Sequence, residues 1–277
     1  MVAALLALSA SIVWGVGDFT GGLKSRVLPA LTVVAASQPF GLVALAVLVA
    51  VQDSGPPGSA VAWSALSSLL GTTGLIAFYR GMAVGAMSVV APIAAAAAVI
   101  PVVWGVASGE SLSTTQAAGI AAALCGGIAA SLERRPEGTQ IAAGVGWAVL
   151  AVIGFGGYFV AMHAASRQDW LWPSFLFRCT SVALVWAVVL VRRALPRDIR
   201  PHLLALVAIG LLDTAGNAFF AAASERHGLL SVVSVLGSLY PLVTVLLARL
   251  LLGERVQRTQ DVGVLVALAG VVLVTAG

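Results

Sequence analysis

Two polar side chains stand one helical turn apart inside a long apolar run of this sequence. Asp213 and Asn217 are four residues apart, so an α-helix places them on the same face. Gly71 and Leu75 occupy the matching places in the other copy of an internal repeat described below. A charge costs at least about 2.5 kcal/mol near the centre of a membrane helix, so a retained one is expected to serve a function. We interpret the pair as a substrate-binding or ion-coupling site, with a proton or another ion coupled; a helix-to-helix hydrogen bond is the alternative.

Three further residues extend the candidate binding or coupling site: Arg178, Trp14 and Tyr240. Arg178 can bind an anionic group, pair with a carboxylate, or extend toward the nearer interface. Trp14 and Tyr240 lie deep in their runs, whereas lipid-facing Trp and Tyr concentrate at the interfaces, so facing a cavity competes with apolar packing. Asp18 lies nearer a helix end, and we expect it at the interface, too far in depth to pair with Arg178.

Prolines predict where two of the apolar runs bend. Pro92, Pro101 and Pro241 each remove a backbone hydrogen bond. The freed carbonyl groups are tolerated in a membrane only within protein or beside water, so we expect these two runs to wall a cavity. Glu110 and Glu254 end the same runs. Each is expected to cap the helix that follows it, with a gating role as the alternative.

The composition requires that any chemistry lie inside a membrane. Apolar residues make up 60% of the chain and charged residues 9%, against about 25% charged in an average soluble domain. That excludes a soluble globule, a disordered chain and a secreted disulfide scaffold. The 15 Lys and Arg residues form no continuous face, so nucleic acid is not an expected partner. The three histidines have no ligand spacing and no phosphate-binding loop occurs, so we expect no metal, no cofactor and no catalytic residue.

Ten apolar runs are long enough to cross the membrane as helices, which requires roughly 20 residues each. The sequence therefore predicts an all-α polytopic protein of the plasma (inner) membrane, whose first partner is the lipid bilayer and which needs no oligomer. The first run has no basic segment before it, so we expect a retained helix rather than a signal peptide. The runs are approximately 2–22, 29–51, 61–81, 88–107, 115–132, 140–162, 172–191, 202–223, 229–252 and 261–276.

The chain repeats itself once, as residues 1–132 and 140–277. Gly109-Glu110 followed by Gln116 and Gly119 returns as Gly253-Glu254 followed by Gln260 and Gly263, at an offset of 144. LLGTTG at 69–74 returns as LLDTAG at 211–216. Several matches in order at nearly one offset indicate duplication. Each copy holds five runs, and since five is odd the second copy enters from the opposite side, which is the inverted repeat typical of transporters.

Glycines predict how the two copies pack together. Gly119 and Gly126, and again Gly263 and Gly270, are seven residues apart in the last run of each copy. Seven residues return a helix nearly to the same face, and small residues there allow close contact between membrane helices.

Basic residues predict the orientation. The odd-numbered loops hold 12 Lys and Arg residues and the even-numbered loops hold 2. The positive-inside rule therefore places the odd loops in the cytoplasm and both termini outside.

Several stretches resemble the drug/metabolite transporter superfamily, specifically its ten-helix EamA-type branch. The clearest is YPLVTVLLARLLLGERVQRTQDVGVLVALAGVVLV at 240–274; the repeated Gly-Glu element, Trp14-Gly15 and Arg178 also match. Two positions depart from the repeat, because Ala97 stands opposite Pro241 and Gln38 opposite Arg178. Members of this family are usually drawn with cytoplasmic termini, contrary to the charge count. The resemblance implies export or exchange of small metabolites or drugs, without saying which.

Three functional hypotheses compete. The leading one is a secondary transporter, an exporter or exchanger of small organic metabolites or drugs, working by alternating access. The second is an intramembrane enzyme acting on lipid, which would need clustered carboxylates or histidines near one interface; the sequence offers none, so no enzymatic activity is expected. The third is a non-transporting membrane scaffold, which would not require polar residues at mid-membrane.

Overall fold

The computed structural model describes residues 1–53, 55–84, 90, 93–94, 96–131, 142–194, 198–226, 228–252 and 258–277. These residues form helices and no strand, and a 3₁₀ turn, Ala96–Ala98, precedes the fourth α-helix. The α-helices are α1 (Val2–Ser25), α2 (Ala30–Ala50), α3 (Gly58–Val84), α4 (Val99–Ala107), α5 (Thr114–Ser131), α6 (Ala142–Ala165), α7 (Leu171–Val191), α8 (Leu203–Glu225), α9 (Leu230–Gly237), α10 (Tyr240–Leu252) and α11 (Arg258–Ala276).

Six of these helices, α1, α2, α3, α6, α7 and α8, are each long and apolar enough to cross a bilayer. They confirm the predicted multi-pass membrane architecture. Four shorter apolar segments occupy the places of the other predicted runs, and their crossing of the membrane stays a prediction. These segments are Ala96–Ala107, Thr114–Ala129, Leu230–Thr244 and Asp261–Ala276.

The predicted ninth run is two helices rather than one. α9 ends at Gly237, and α10 begins at Tyr240 with Pro241 as its second residue. A proline in the first turn costs no hydrogen bond, because the N–H it lacks would have had no helical partner there. Pro101 likewise lies in the first turn of α4, after the 3₁₀ turn. Pro92 lies outside the described residues.

The helices before residue 132 and those after residue 141, which we call the N-terminal and C-terminal halves, pack mainly against each other. The most extensive pairings are α3 with α6, α5 with α11, and α1 with α8; α2 packs on both α7 and α8. These pairings are exchanged, since the first helix of each half packs on the third helix of the other.

The glycine pairs predicted from the sequence make the contact between α5 and α11. A Cβ atom built on Gly119 would meet the carbonyl oxygen of Gly270, and one built on Gly126 would meet that of Gly263. The residue number rises along one helix as it falls along its partner, so the two helices are antiparallel. Their backbones approach this closely because neither glycine of a pair carries a side chain.

This contact makes a testable prediction about stability. Gly126→Val should lower the melting temperature of the detergent-purified protein markedly, because the new Cβ would overlap the backbone nitrogen of Ala267 and overpacking costs about 1–3 kcal/mol. Gly146→Val in α6 is the matched control, since a Cβ there has nothing within 4 Å. Equal melting temperatures for the two variants would show that α5 and α11 do not pack through these glycines.

Candidate functional site

A cavity lies between the two halves, with about 50 Å³ of space for the centres of water-sized molecules, and we call it the central cavity. It is walled by residues of α1, α2, α3, α6, α7, α8 and α10, so neither half forms it alone. Asp213 stands ten residues into α8, about 15 Å along the helix axis, which puts it near the middle of that 23-residue helix. The lining residues are Trp14, Asp18, Gln38, Gly71, Thr72, Leu75, Phe155, Tyr158, Phe159, Phe177, Asp213, Asn217 and Tyr240.

Arg178 of α7 and Asp213 of α8 form an ion pair beside the central cavity. The guanidinium Nη2 lies 2.7 Å from the carboxylate Oδ2. The Arg178 side chain is 0% exposed whereas that of Asp213 is 21% exposed, so the carboxylate faces the cavity and the guanidinium lies behind it. Of the alternatives open to Arg178 from the sequence, the structure shows pairing with a carboxylate. The Nε and Nη1 atoms of Arg178 are buried with no hydrogen-bond partner in the described structure.

Asn217 lies on the same face of α8, as its spacing from Asp213 predicts. Its side-chain oxygen accepts a hydrogen bond from the Tyr158 hydroxyl of α6 at 2.7 Å. The Tyr158 ring also packs where a Cβ on Gly71 would stand, 2.9 Å from that position. Gly71 is the counterpart of Asp213 in the first copy. The place that corresponds to the Asp213 side chain is therefore filled, beside Gly71, by the ring of Tyr158.

Asp18 belongs to the central cavity, so its expected place at the interface is wrong. Its carboxylate accepts a hydrogen bond from the Tyr79 hydroxyl of α3 at 3.3 Å. Asp18 and Asp213 line the same cavity. Counting residues to the helix end gave a shallow depth for Asp18, but α1 packs along α8 and brings the two carboxylates to one cavity. The available signal was its spacing of four residues from Trp14, which puts both on one face of α1.

Gln38 is another lining residue that the sequence analysis did not propose for the site. Its side-chain oxygen accepts a hydrogen bond from the Ser181 hydroxyl of α7 at 2.6 Å, and Ser181 accepts one from Thr72 of α3 at 2.8 Å. This chain of polar groups joins α2, α7 and α3. Gln38 stands opposite Arg178 in the repeat, and that correspondence was the signal that could have identified it.

Trp14 and Tyr240 both reach the central cavity and are packed by other aromatic rings. The Trp14 ring contacts Tyr158, Phe159 and Phe220, with ring centroids 6.0–6.1 Å apart. The Tyr240 ring makes edge contacts with Phe78 and Phe155, and its buried hydroxyl has no hydrogen-bond partner in the described structure. Cavity lining and apolar packing therefore coexist at both residues rather than exclude each other.

The two proline-bearing runs contribute less to the cavity than the sequence predicts. Among the described residues of α4, α9 and α10, Tyr240 alone is in the lining, and neither Pro101 nor Pro241 belongs to it. Most of the lining comes from the first and third helices of each half, which pack directly across the interface.

Glu110 does not cap the helix that follows it, contrary to the sequence prediction. Its carboxylate accepts hydrogen bonds from the backbone N–H of Leu230 and of Ser231 and from the Ser231 hydroxyl, at the start of α9. α5 has its own capping box, in which the Ser113 hydroxyl and the Gln116 side chain bond each other's backbone N–H groups. Glu110 is therefore free to join the two halves. Glu254 lies outside the described residues.

The described residues contain no group of three His, Cys, Asp or Glu side chains that could hold a metal ion. The site is thus an ion pair, a second carboxylate, several amide and hydroxyl groups, and six aromatic rings, buried within apolar helices. Such a fold and site define a multi-pass membrane protein with an internal polar cavity.

The comparison with protein families identifies it further. The model of the EamA-like transporter family matches residues 1–132 and again residues 142–276, and the chain belongs to this family. The resemblance seen in the sequence is confirmed. Membership makes the chain a membrane transporter of small molecules.

Solved structures agree on the fold. Twenty-seven chains match, and one of them, described as "Crystal structure of protein", has a TM-score of 0.76 and 17% sequence identity. That match covers 99% of this chain and 96% of the other, and at this identity it shows the fold alone. No curated protein matches the sequence.

The ion pair makes a prediction that distinguishes a coupled pair of charges from two polar side chains that act independently. Asp213→Asn should destabilise the purified protein by about 3–5 kcal/mol, because it leaves the buried Arg178 charge without a partner. The double variant Arg178→Gln/Asp213→Asn should recover most of that loss, as measured by thermal unfolding in detergent. Arg200→Gln, at an exposed position, is the control and should change nothing.

Additive losses in the double variant would contradict this prediction. They would mean that Arg178 and Asp213 stabilise the bundle independently rather than as a pair.

Proposed function

We propose that this chain is a secondary transporter that carries small organic molecules across the plasma membrane by alternating access, as an exporter or exchanger. The observation that carries the proposal is the central cavity, which holds polar and charged groups near mid-membrane and is walled by both halves. Charges are kept at that depth where they serve a substrate or ion pathway. A proton or another ion is the candidate driving species.

The packing between the halves supports an inverted repeat, with 1–132 and 140–277 as its two copies and a symmetry axis in the membrane plane. Gly119 contacts Gly270 while Gly126 contacts Gly263, and in the repeat Gly119 corresponds to Gly263 and Gly126 to Gly270. Each contact is thus the image of the other. Because the two equivalent helices are antiparallel, the two-fold axis that relates the copies lies in the membrane plane and not along the membrane normal.

Glu110 is the gating candidate that the geometry supports best. By its hydrogen bonds to Ser231 it ties the end of α4 to the start of α9, and so joins the two halves at one membrane face. Gly105 makes the approach possible, since a Cβ there would meet both the Glu110 carboxylate and the Ser231 hydroxyl. In this proposal the contact breaks when the cavity opens to that face. The same face is extracellular if the Lys and Arg count gives the orientation.

Alternating access is tested by thiol labelling, without knowledge of the substrate. In a Cys125→Ser/Cys179→Ser background, Leu75→Cys places a thiol in the central cavity. A membrane-impermeant maleimide should label it both in intact cells and in inside-out vesicles. Adding Glu110→Cys and Ser231→Cys and oxidising them should abolish labelling from one side only, reversibly on reduction.

Leu69→Cys is the control, because this α3 residue is 49% exposed on the outer surface of the bundle and a water-soluble reagent should not reach it in lipid. Labelling of Leu75→Cys from one side under every condition would contradict the proposal. Labelling from both sides after the cross-link would contradict the assignment of Glu110 as a gate.

A further inference from the structure

Three side chains that line the central cavity carry hydrogen-bond donors with no partner among the described residues. They are Gln38 of α2, Asn217 of α8 and Tyr240 of α10, and each is at most 5% exposed. The Tyr240 hydroxyl is buried and unpartnered. The side-chain nitrogens of Gln38 and Asn217 donate to no described group, since both residues bond through their oxygens alone. Helices of both halves thus bring free donors to one cavity.

Hydroxyl groups behind the two amides fix which end of each amide remains for a ligand. The Gln38 oxygen accepts a hydrogen bond from the Ser181 hydroxyl at 2.6 Å, and Ser181 accepts one from Thr72 at 2.8 Å. The Asn217 oxygen accepts one from the Tyr158 hydroxyl at 2.7 Å. A primary amide has one acceptor oxygen and one nitrogen that carries two donors. Because the oxygens are held by hydroxyl groups, both amides have their N–H groups left to donate.

Buried donors of this kind indicate what the ligand must carry. An unpartnered donor in an apolar interior is costly, so such groups are normally met by water or by a ligand. A site built to hydrogen-bond its ligand rejects an analogue that lacks the matching group, because the buried polar groups are then left unpaired. The three donors of the central cavity therefore predict acceptor atoms on the substrate.

An uncharged carbonyl oxygen is the acceptor that fits this lining best. It has two lone pairs and can accept two hydrogen bonds. A carboxylate on the ligand would share the cavity with Asp18 and Asp213, which repel it. An ammonium group has donors alone and cannot accept from the amide N–H groups. The rings of Trp14, Phe155 and Phe177, also in the lining, suit an aromatic or apolar body beside the carbonyl.

Resting on the proposed function, we propose that the central cavity selects small uncharged carbonyl compounds with an aromatic or apolar body, and that Gln38, Asn217 and Tyr240 determine this specificity. The amide N–H groups and the tyrosine O–H group donate to oxygen atoms of the ligand. Residues of both halves then contact the same ligand, so its binding depends on how the halves are arranged.

Equilibrium binding of radiolabelled phenylacetamide to the purified full chain tests this inference. Unlabelled phenylacetamide should displace the label. Phenethylamine has the same skeleton without the carbonyl oxygen, and phenylacetate has a charged carboxylate in place of the amide. Neither compound should compete at concentrations at which unlabelled phenylacetamide does.

Tyr240→Phe is the most direct variant, because the hydroxyl that it removes contacts no described protein group. It should weaken phenylacetamide binding by about threefold to tenfold, the range expected for one hydrogen bond, and leave the melting temperature unchanged. Gln38→Met keeps the length of the side chain without its N–H donors and should weaken binding by a similar factor. Gln168→Met, at an exposed position between α6 and α7, is the matched control and should bind as the unmodified chain does.

Competition by phenethylamine or phenylacetate, or unchanged affinity in Tyr240→Phe, would overturn the inference. Thermal unfolding shows whether Gln38→Met is folded; if it is not, the result for Tyr240→Phe decides alone. Labelling of Leu75→Cys from both membrane faces does not depend on the chemistry of the substrate. If that labelling succeeds while phenylacetamide fails to bind, the substrate class is wrong and the transport proposal stands, whereas failure of both removes the transport proposal as well.

Discussion

The structure depends on one constraint, that a charge within the hydrocarbon layer must have a partner. Arg178 and Asp213 satisfy it for each other, and the fully buried guanidinium holds α7 against α8 at mid-depth. Among the described groups, Asp18 has a tyrosine hydroxyl as its only hydrogen-bond partner. The two carboxylates therefore differ in how their charges are balanced. Helices of both halves are needed to bring these groups together.

The two halves share a backbone plan but differ in their chemistry. Their helices pack in exchanged pairs, and the glycine contacts of α5 and α11 are images of each other. At the cavity, however, Arg178 stands opposite Gln38 and Asp213 opposite Gly71. A symmetric frame allows two conformations of similar energy, each open to one side.

The sequence predicted the membrane architecture, the repeat and the glycine contacts. The lengths of the apolar runs, the offset between the repeated motifs and the spacing of the glycines can all be read directly from the chain. It also named Asp213, Asn217, Arg178, Trp14 and Tyr240, which the structure brings together at or beside one cavity. It misplaced Asp18 and Glu110, because depth along one helix does not reveal which neighbour lies alongside. Asp18 reaches the cavity through the packing of α1 on α8, and Glu110 reaches α9 across the interface. Both depend on contacts between segments far apart in the chain.

Movement of the two halves relative to each other is the central claim, and a distance measured between them tests it most directly. Spin labels at Ser108 and Arg226, exposed positions near the face where Glu110 contacts α9, report the separation of α4 and α8 by pulsed electron paramagnetic resonance. The account predicts two distance populations in liposomes, with the longer one enriched when Glu110→Ala and Ser231→Ala remove the contact. A single distribution that these substitutions leave unchanged would contradict alternating access through this gate.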